Sequence, residues 1–389
     1  MNKEEIKKLD QEYIVHTYGR SELYADHAKG ALVYDVDGKE FVDFGSGIGV
    51  ASLGYCNDEW LAAVTEQAGK LQHISNLYYH EPMVLLAKAI CEKSGFKKAF
   101  FCNSGAEANE CAIKVARKYG SSKSPSKTKV ITLVDSFHGR TIQTLTATGQ
   151  DDMHKFFGPF SQGFAYVKGG DVEGLKAAAD DDTCAIMMEV IQGEGGVNVM
   201  DEEFVKCAAA LCQEHDALLI IDEVQTGIGR TGKFFAFENY GVEPDLVTFA
   251  KGIGAGLPMG GVLFNDKTQE VLQSGDHGTT FGANPVVCAG ALKVLEKMTD
   301  EFMAEIKEKG DYLMDELSKI PGVKDLSGIG LMMGFNIEGK EPADVANACL
   351  EKGLVVLTAH GKVRLLPPLV ITKEDIDRGL AVIKEVAES

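Results

Sequence analysis

The chain has 389 residues, of which 45% are hydrophobic and 25% are charged, the balance of a globular protein with enough length for about two domains. Its formal net charge is −19, with no cluster of Lys and Arg to offset it, which excludes a protein that binds nucleic acid or anionic lipid through its surface charge. There is no apolar run long enough to span a membrane, and the charged start MNKEEIKKLDQEY lacks the apolar segment of a signal peptide.

The two ends of the chain show mixed patterns of strands and helices. Two short alternating runs flank Asp37-Gly38, a dipeptide typical of tight hairpin turns. Residues 296–389 show a helical pattern, then short strands and a last helix. We expect residues 1–55 and 296–389 to form a smaller α+β domain together, beside a large domain of residues 56–295.

The middle of the chain contains five short, nearly continuous apolar runs, the pattern of strands that are buried on both faces. Helical patterns such as AEANECAIKVARKYG and DEEFVKCAAALCQEHD lie between some of them. This order predicts an α/β fold with a mostly parallel sheet flanked by helices, in which ligands bind beyond the carboxyl ends of the strands. The five runs are KKAFFCN, KVITLVD, CAIMMEVI, ALLIIDEV and DLVTFAK.

Residues that suit an anion and a flat ring follow the first two predicted strands. Ser104, Gly105 and Ala106 precede a helix, where free N–H groups and the helix dipole bind anions; an ordinary cap by Ser104 is the alternative. Phe137 and Arg140 follow the second strand, where they suit a ring and a carboxylate. For a single aromatic residue, core packing is the alternative.

Acids and a lysine follow the other three predicted strands. Glu194 lies in QGEGG, where a solvated loop is the alternative. Asp222 ends the fourth strand, and its buried charge needs a cation, a metal or a protonated ring nitrogen. Lys251 follows the fifth strand, where burial would depress its pKa and make it a nucleophile; a side chain that reaches to solvent is the alternative. Five such strand ends together predict an active site.

The segment GIGRTGK fits G-x-x-x-x-G-K, part of the phosphate-binding loop of nucleotide hydrolases. Such a loop follows the first strand, opens a helix and has Ser or Thr after its lysine, whereas Phe234 follows Lys233 here. A nucleotide hydrolase is therefore a remote alternative. We expect a glycine-rich connection near the site, which leaves Arg230 and Thr231 with a structural or subunit-contact role.

Nine cysteines are scattered singly, without a C-x-x-C pair. Their odd number and mostly apolar surroundings predict reduced thiols in a cytoplasmic protein, with no disulfide framework and no metal site.

Six motifs in order resemble the class III aminotransferases of pyridoxal-phosphate fold type I. The resemblance runs nearly from end to end and implies an enzyme that uses pyridoxal 5'-phosphate on small-molecule substrates, as a homodimer with shared active sites. The motifs are SGAEANE, FHGRT, IQGEGG, IIDEVQTGIGRTG, AKGIGAGLPMG and HGTTFGANP.

The resemblance also implies roles for the residues that match these motifs. Lys251 would bond covalently to the cofactor and Asp222 would pair with its ring nitrogen. The other cofactor contacts would be Gly105 and Ala106 at the phosphate, Val224 and Phe137 on the two ring faces, Gln225 near the ring's 3-oxygen, and Thr280 at the phosphate of the neighbouring subunit.

The substrate contacts implied by the resemblance centre on two arginines. Arg364 would clamp an α-carboxylate, Arg140 would be the second substrate arginine, and Thr279 would lie near the substrate. Glu194 would either mask Arg364 or swing aside, so that one pocket serves two substrates.

Within the family, SFHGRTIQTLTATGQ, GDHGTTFGANP and KVRLLPPLVIT are most similar to members that transfer the amino group of N2-acetylornithine to 2-oxoglutarate in arginine biosynthesis. Ornithine-specific relatives carry a tyrosine in the segment that matches SGIGVA, where this chain has Ile48. Succinylornithine, ornithine, 4-aminobutyrate and lysine-pathway substrates remain alternatives. A non-catalytic binding protein of the same fold is a further alternative. The presence of both Lys251 and Asp222 counts against it.

Overall fold

The computed structural model describes residues 1–389. The strands are β1 (Ala25–Lys29), β2 (Leu32–Asp35), β3 (Glu40–Asp43), β4 (Lys98–Cys102), β5 (Lys129–Leu133), β6 (Phe164–Val167), β7 (Thr183–Met188), β8 (Ile191–Gln192), β9 (Asn198–Val199), β10 (Leu218–Asp222), β11 (Leu246–Phe249), β12 (Gly260–Phe264), β13 (Val323–Ile329), β14 (Met332–Ile337), β15 (Leu354–Val355), β16 (Leu357–Ala359) and β17 (Lys362–Leu365). The helices are α1 (Lys3–Tyr13), α2 (Ser46–Gly49), α3 (Asp58–Lys70), α4 (Glu81–Ser94), α5 (Gly105–Ser121), α6 (Ile142–Ala147), α7 (Asp151–His154), α8 (Val172–Ala178), α9 (Glu202–Glu214), α10 (Pro285–Lys297), α11 (Asp300–Ser318), α12 (Pro342–Glu351) and α13 (Lys373–Glu388).

A seven-stranded sheet forms the centre of the molecule, in the order β4-β12-β11-β10-β7-β5-β6. Every strand runs parallel to the others except β12, which is antiparallel to both of its neighbours. The prediction of an α/β fold with a mostly parallel sheet is therefore confirmed. All five predicted apolar runs are strands of this sheet.

The central strands are buried on both faces, as their continuous apolar runs predict. Successive residues of β10 point to opposite sides of the sheet: Leu218 and Ile220 belong to a core cluster of 17 residues, and Leu219 and Ile221 to one of 66 residues. Helix α5 packs in the smaller cluster and α9 in the larger one. The sheet is thus a rigid layer that fixes the positions of the side chains at its carboxyl edge.

The two ends of the chain meet in a second sheet, of order β1-β2-β3-β15. β2 and β3 pair as the predicted hairpin on either side of Asp37-Gly38, and β3 pairs in parallel with β15 from the C-terminal part. A further sheet, β13-β14-β17-β16, contains Arg364 in β17. None of the helices combines the length and the hydropathy that crossing a bilayer requires.

Candidate active site

A cavity of about 430 Å³ lies at the carboxyl edge of the central sheet. The side chains around it come from the ends of β4, β5, β10 and β11, which is where a sheet of this kind binds ligands. A larger cavity of about 630 Å³ lies between α1 and residues 16–25 and contains none of the predicted site residues. Of the predicted residues, the sheet-edge cavity brings together Gly105, Ala106, Phe137, Arg140, Asp222, Val224 and Lys251.

Asp222 is the last residue of β10 and is only 3% exposed. Its Oδ2 accepts a hydrogen bond from Asn109 Nδ2 at 2.7 Å and lies 2.8 Å from His138 Nδ1. Its Oδ1 accepts a hydrogen bond from the N–H of Val224 at 3.0 Å. These three contacts hold the carboxylate in one orientation. A carboxyl group is therefore fixed on the wall of the cavity.

His138 and Asn109 form a buried polar layer behind Asp222. Asn109 Nδ2 also donates to the backbone carbonyl of His138 at 2.8 Å. Burial alone would lower the pKa of His138, but the hydrogen bond to Asp222 and the charges of Asp222 and Glu189 raise it overall. His138 Nε2 and Asn109 Oδ1 are buried without a partner, so this layer still has unused hydrogen-bonding capacity.

Glu189 is a second buried acid near this layer. It accepts hydrogen bonds from the N–H groups of Phe137 at 2.9 Å and Gly193 at 3.2 Å. Burial raises the pKa of Glu189 to about 7, which the positive charge of His138 partly opposes. Because its bonds hold the backbone on which Phe137 lies, Glu189 positions the aromatic ring at the cavity.

Lys251 follows β11 and begins a short 3₁₀ turn, Lys251–Ile253. Its φ of 48° lies in the left-handed region, an unusual conformation for a long side chain and one that clusters at functional sites. Burial of its amine lowers the pKa of Lys251 to about 8; the positive charge of Arg364 acts in the same direction, and the negative charge of Glu194 opposes it. A much larger fraction of this amine is therefore neutral and nucleophilic near neutral pH than for an ordinary lysine.

The start of α5 provides the anion site of the cavity. Ser104 caps the helix by accepting from the N–H of Glu107 at 3.2 Å, while first-turn N–H groups such as those of Gly105 and Ala106 have no partner within a helix. A Cβ on Gly105 would lie 2.7 Å from Val224 Cγ1. Only glycine therefore allows Val224 to approach the turn this closely.

Arg364 is buried and lies outside the residues that line the cavity. Its Nη1 donates to the carbonyl of Gly193 at 3.0 Å, to Glu194 Oε1 at 2.7 Å and to Gln225 Oε1 at 3.2 Å. Its Nε is buried without a partner. Predicted residues Arg364, Glu194 and Gln225 thus form one group, in which Glu194 covers the guanidinium.

The remaining predicted residues lie at the rim or beyond it. Arg140 is exposed, and its guanidinium lies 5.6 Å from the centre of the Phe137 ring. Thr279 Oγ1 accepts from Asn103 Nδ2 at 2.9 Å and donates to Glu107 Oε1 at 3.2 Å. Thr280 is exposed and does not line the cavity.

Three residues at the site were not among the predicted ones: Asn109, His138 and Glu189. Asn109 lies four residues after Gly105, hence on the same face of α5, and this spacing was a usable signal. His138 lies in the motif FHGRT, but a single histidine gives no indication that it pairs with Asp222. Glu189 is separated from Phe137 by 52 positions, so only the fold brings them together.

The donor set of the cavity fits pyridoxal 5'-phosphate. The cavity beside Lys251 is lined by the start of α5, which suits the phosphate, and by the carboxylate of Asp222, which suits the ring nitrogen. Val224 and Phe137 also line it and suit the two ring faces. No group of His, Cys, Asp and Glu side chains could hold a metal ion, and all nine cysteines are free thiols.

Comparisons with known proteins agree on one family. The sequence profile described as "Aminotransferase class-III" matches residues 13–387. The acetylornithine aminotransferase of Haemophilus ducreyi is 50% identical, over 99% of each chain. The ornithine aminotransferase of Toxoplasma gondii ME49 superposes with a TM-score of 0.95 at 32% identity, over 100% of this chain and 95% of the other. A second structure of the Toxoplasma gondii enzyme has pyridoxal 5'-phosphate at partial occupancy in its active site. The N-acetylornithine aminotransferase of Stenotrophomonas maltophilia K279a gives 0.85 at 35% identity, over 97% of each chain.

Proposed function

The chain belongs to the class III aminotransferases, and from that premise we propose that it transfers the terminal amino group of N2-acetylornithine to 2-oxoglutarate. The products would be N-acetylglutamate 5-semialdehyde and glutamate, in arginine biosynthesis. The observation that carries the proposal is the placement of Lys251, a buried amine with a lowered pKa, in one cavity with the fixed carboxylate of Asp222.

Pyridoxal 5'-phosphate, when bound, supplies an aldehyde that takes up an amino group and a ring that draws electrons from the carbon bearing it. Gly105 and Ala106 would hold its phosphate, and Asp222 would keep its ring nitrogen protonated. His138 and Asn109 hold Asp222 for this purpose, because their hydrogen bonds leave the carboxylate no freedom to turn. Val224 and Phe137 would fix the ring plane.

Lys251 has two tasks in this proposal. Its neutral amine would hold the cofactor covalently between turnovers, and once released it would act as the base that moves the proton of the carbon bearing the transferred amine. Both tasks need an unprotonated amine near neutral pH, which the burial of Lys251 supplies.

The pair of Arg364 and Glu194 suits an enzyme with two different substrates. Glu194 Oε1 lies 2.7 Å from Arg364 Nη1 and neutralises the guanidinium. A donor that presents its terminal amine has no carboxylate at this position, so it can bind while Glu194 stays paired with Arg364. Arg140 at the rim then takes the donor's distant α-carboxylate. When glutamate or 2-oxoglutarate binds, Glu194, which is 27% exposed, swings aside and Arg364 takes the carboxylate.

The choice of donor rests on Ile48 and on the sequence relatives. Ile48 lies in the segment whose Ser52 Oγ donates to the carbonyl of Gly252, next to Lys251, at 2.6 Å. An aliphatic side chain there suits an acylated amine better than the free, charged amine of ornithine. Ornithine is the second candidate, because ornithine aminotransferases are among the solved structures of most similar fold; the 50% identity to an acetylornithine enzyme outweighs it.

The proposal includes a cytoplasmic homodimer. Exposed apolar side chains cluster beside the loop that carries Thr280, where Asn76 Nδ2 donates to the carbonyl of Gly282 at 2.9 Å. Leu77 is 84% exposed and Tyr79 is 96% exposed. Exposed apolar side chains that cluster in this way are typical of a surface that contacts another protein. A second copy would cover this patch and bring Thr280 to its neighbour's phosphate. Free thiols suit a reducing compartment.

The proposal is tested by replacing Lys251. Lys251→Ala should still bind the cofactor through Gly105, Ala106 and Asp222, but should lose nearly all amino transfer from N2-acetylornithine to 2-oxoglutarate. Lys233→Ala, an exposed lysine in a nearby loop, is the matched control and should keep normal turnover. Amino transfer by Lys251→Ala at the wild-type rate would contradict the proposal.

A further inference from the structure

Arg230 is a buried cation that the proposed chemistry does not use. It lies in the connection between β10 and the 3₁₀ turn Ala236–Asn239 and is only 2% exposed. No carboxylate pairs with it; its Nη1 donates to the backbone carbonyls of Leu331 at 3.0 Å and Pro367 at 2.5 Å. Burying a guanidinium costs free energy unless its N–H groups have hydrogen-bond acceptors, and these two carbonyls supply acceptors.

The two carbonyls belong to the C-terminal part of the chain. Leu331 lies between β13 and β14, and its N–H donates to the carbonyl of Arg230 at 3.0 Å. A Cβ on Gly330 would lie 2.7 Å from that same carbonyl oxygen, and Gly330 has a φ of +59°. The backbones meet so closely that only glycine fits. Arg230 is thus joined to this part by its backbone and by its side chain.

Pro367 lies three residues after Arg364. The same segment is held from its other side, since the N–H of Leu366 donates to the carbonyl of Phe44 at 2.6 Å and Ser46 Oγ donates to the carbonyl of Leu366 at 2.5 Å. Hydrogen bonds therefore hold the backbone that follows Arg364 from two sides, from Arg230 on one side and from Phe44 and Ser46 on the other.

The connection that carries Arg230 also touches the guanidinium of Arg364. Gln225, five residues before Arg230, accepts from Arg364 Nη1 at 3.2 Å. One end of this connection therefore meets the side chain of Arg364, and the other end holds the backbone just beyond it. A shift of Pro367 would move Arg364. Asp222 and Lys251 would stay in place, because they lie at the ends of β10 and β11 in the central sheet.

We propose that Arg230 is a positioning residue that, by holding the carbonyl of Pro367, sets the Arg364 guanidinium where it meets a substrate carboxylate. This inference rests on the proposed function, because it takes Arg364 as the residue that binds the carboxylate of glutamate and 2-oxoglutarate. It does not depend on which amine is the donor.

The test is the affinity of the holoenzyme for glutarate, an unreactive dicarboxylate, followed through the absorbance of the bound cofactor. Loss of the charge-assisted hydrogen bonds in Arg230→Gln should raise the glutarate Kd about tenfold. Arg230→Lys keeps a buried cation without the planar fork, and should fold and show a smaller rise. Lys233→Gln is the matched control in the same connection and should bind glutarate normally.

A second readout separates positioning from general support of the fold. Single-turnover reaction with butylamine, which has no carboxylate, should proceed at the wild-type rate in both Arg230 variants. A normal glutarate Kd in the folded variants would overturn the inference, as would an equal loss with butylamine. A wild-type enzyme that binds no glutarate at all would overturn the proposed function together with it.

Discussion

Single residues in this site acquire their chemistry from burial and from their neighbours. Lys251 and Asp222 are both buried, and burial shifts the lysine towards its neutral form, while three hydrogen bonds hold the carboxylate of Asp222 in one orientation. A neutral amine and a fixed carboxylate in one cavity are what a cofactor with an aldehyde and a basic ring nitrogen requires.

The lowered pKa of Lys251 predicts a pH dependence for cofactor attachment. Only the neutral amine attacks an aldehyde, so the rate for the apoprotein should rise with pH and level off above about 8, the pKa that burial gives Lys251, instead of near the usual 10.5. Initial rates of attachment measured across this pH range, with N-acetyl-lysine amide as the control for the cofactor's own titration, would show it. A midpoint equal to that of the free lysine would contradict the assignment.

At the scale of elements, the sequence was most informative where a strand is central. The runs ending at Asp222 and Lys251 are apolar because both faces of their strands are covered, so their ends could be placed without a structure. β12 was missed because its run GGVLF begins with two glycines, and β6 because it is a short edge strand with one neighbour.

The contacts behind the site could not be predicted in the same way. Arg364 and Gln225 are 139 positions apart in the sequence, and neither local pattern indicates that the two side chains are in contact. The contacts of Arg230 likewise depend on the fold, which directs its guanidinium to carbonyls of the same chain.

The start of α5 supplies a prediction about an element junction. Gly105→Ala would place a Cβ 2.7 Å from Val224, so Val224 must move from the position proposed for it on the ring. Overpacking of this kind costs about 1–3 kcal/mol, which predicts a rise of about tenfold in the cofactor Kd. Equilibrium titration of apoprotein with cofactor measures it. Gly69→Ala in α3, where an added Cβ meets nothing within 4 Å, is the control; equal affinities of the two variants would contradict the account.

At the scale of the whole molecule, both ends of the chain complete the structure around the large sheet. β3 and β15 pair although more than 300 positions separate Val42 from Leu354, and β17 brings Arg364 to the connection after β10. The site is therefore assembled from distant parts of one chain, and we propose that a second chain completes it through Thr280.

The proposed dimer predicts a coupled loss of assembly and cofactor. Leu77→Asp with Tyr79→Asp should give a monomer in sedimentation velocity, because two charges in a desolvated interface are costly. The monomer should also hold the cofactor more weakly, since the neighbour's Thr280 is then absent. Val199→Asp, at another exposed apolar position, should stay dimeric. A double variant that remains a dimer would place the interface elsewhere.

The central claim is that this aminotransferase acts on the terminal amine of an acylated ornithine. It is tested most directly by kcat/KM for amino transfer to 2-oxoglutarate from N2-acetylornithine and from ornithine, measured side by side on the same holoenzyme. The account predicts a preference of at least about tenfold for N2-acetylornithine, the scale on which a pocket with an unpaired or wrongly paired polar group discriminates. A kcat/KM for ornithine equal to or above that for N2-acetylornithine would contradict it.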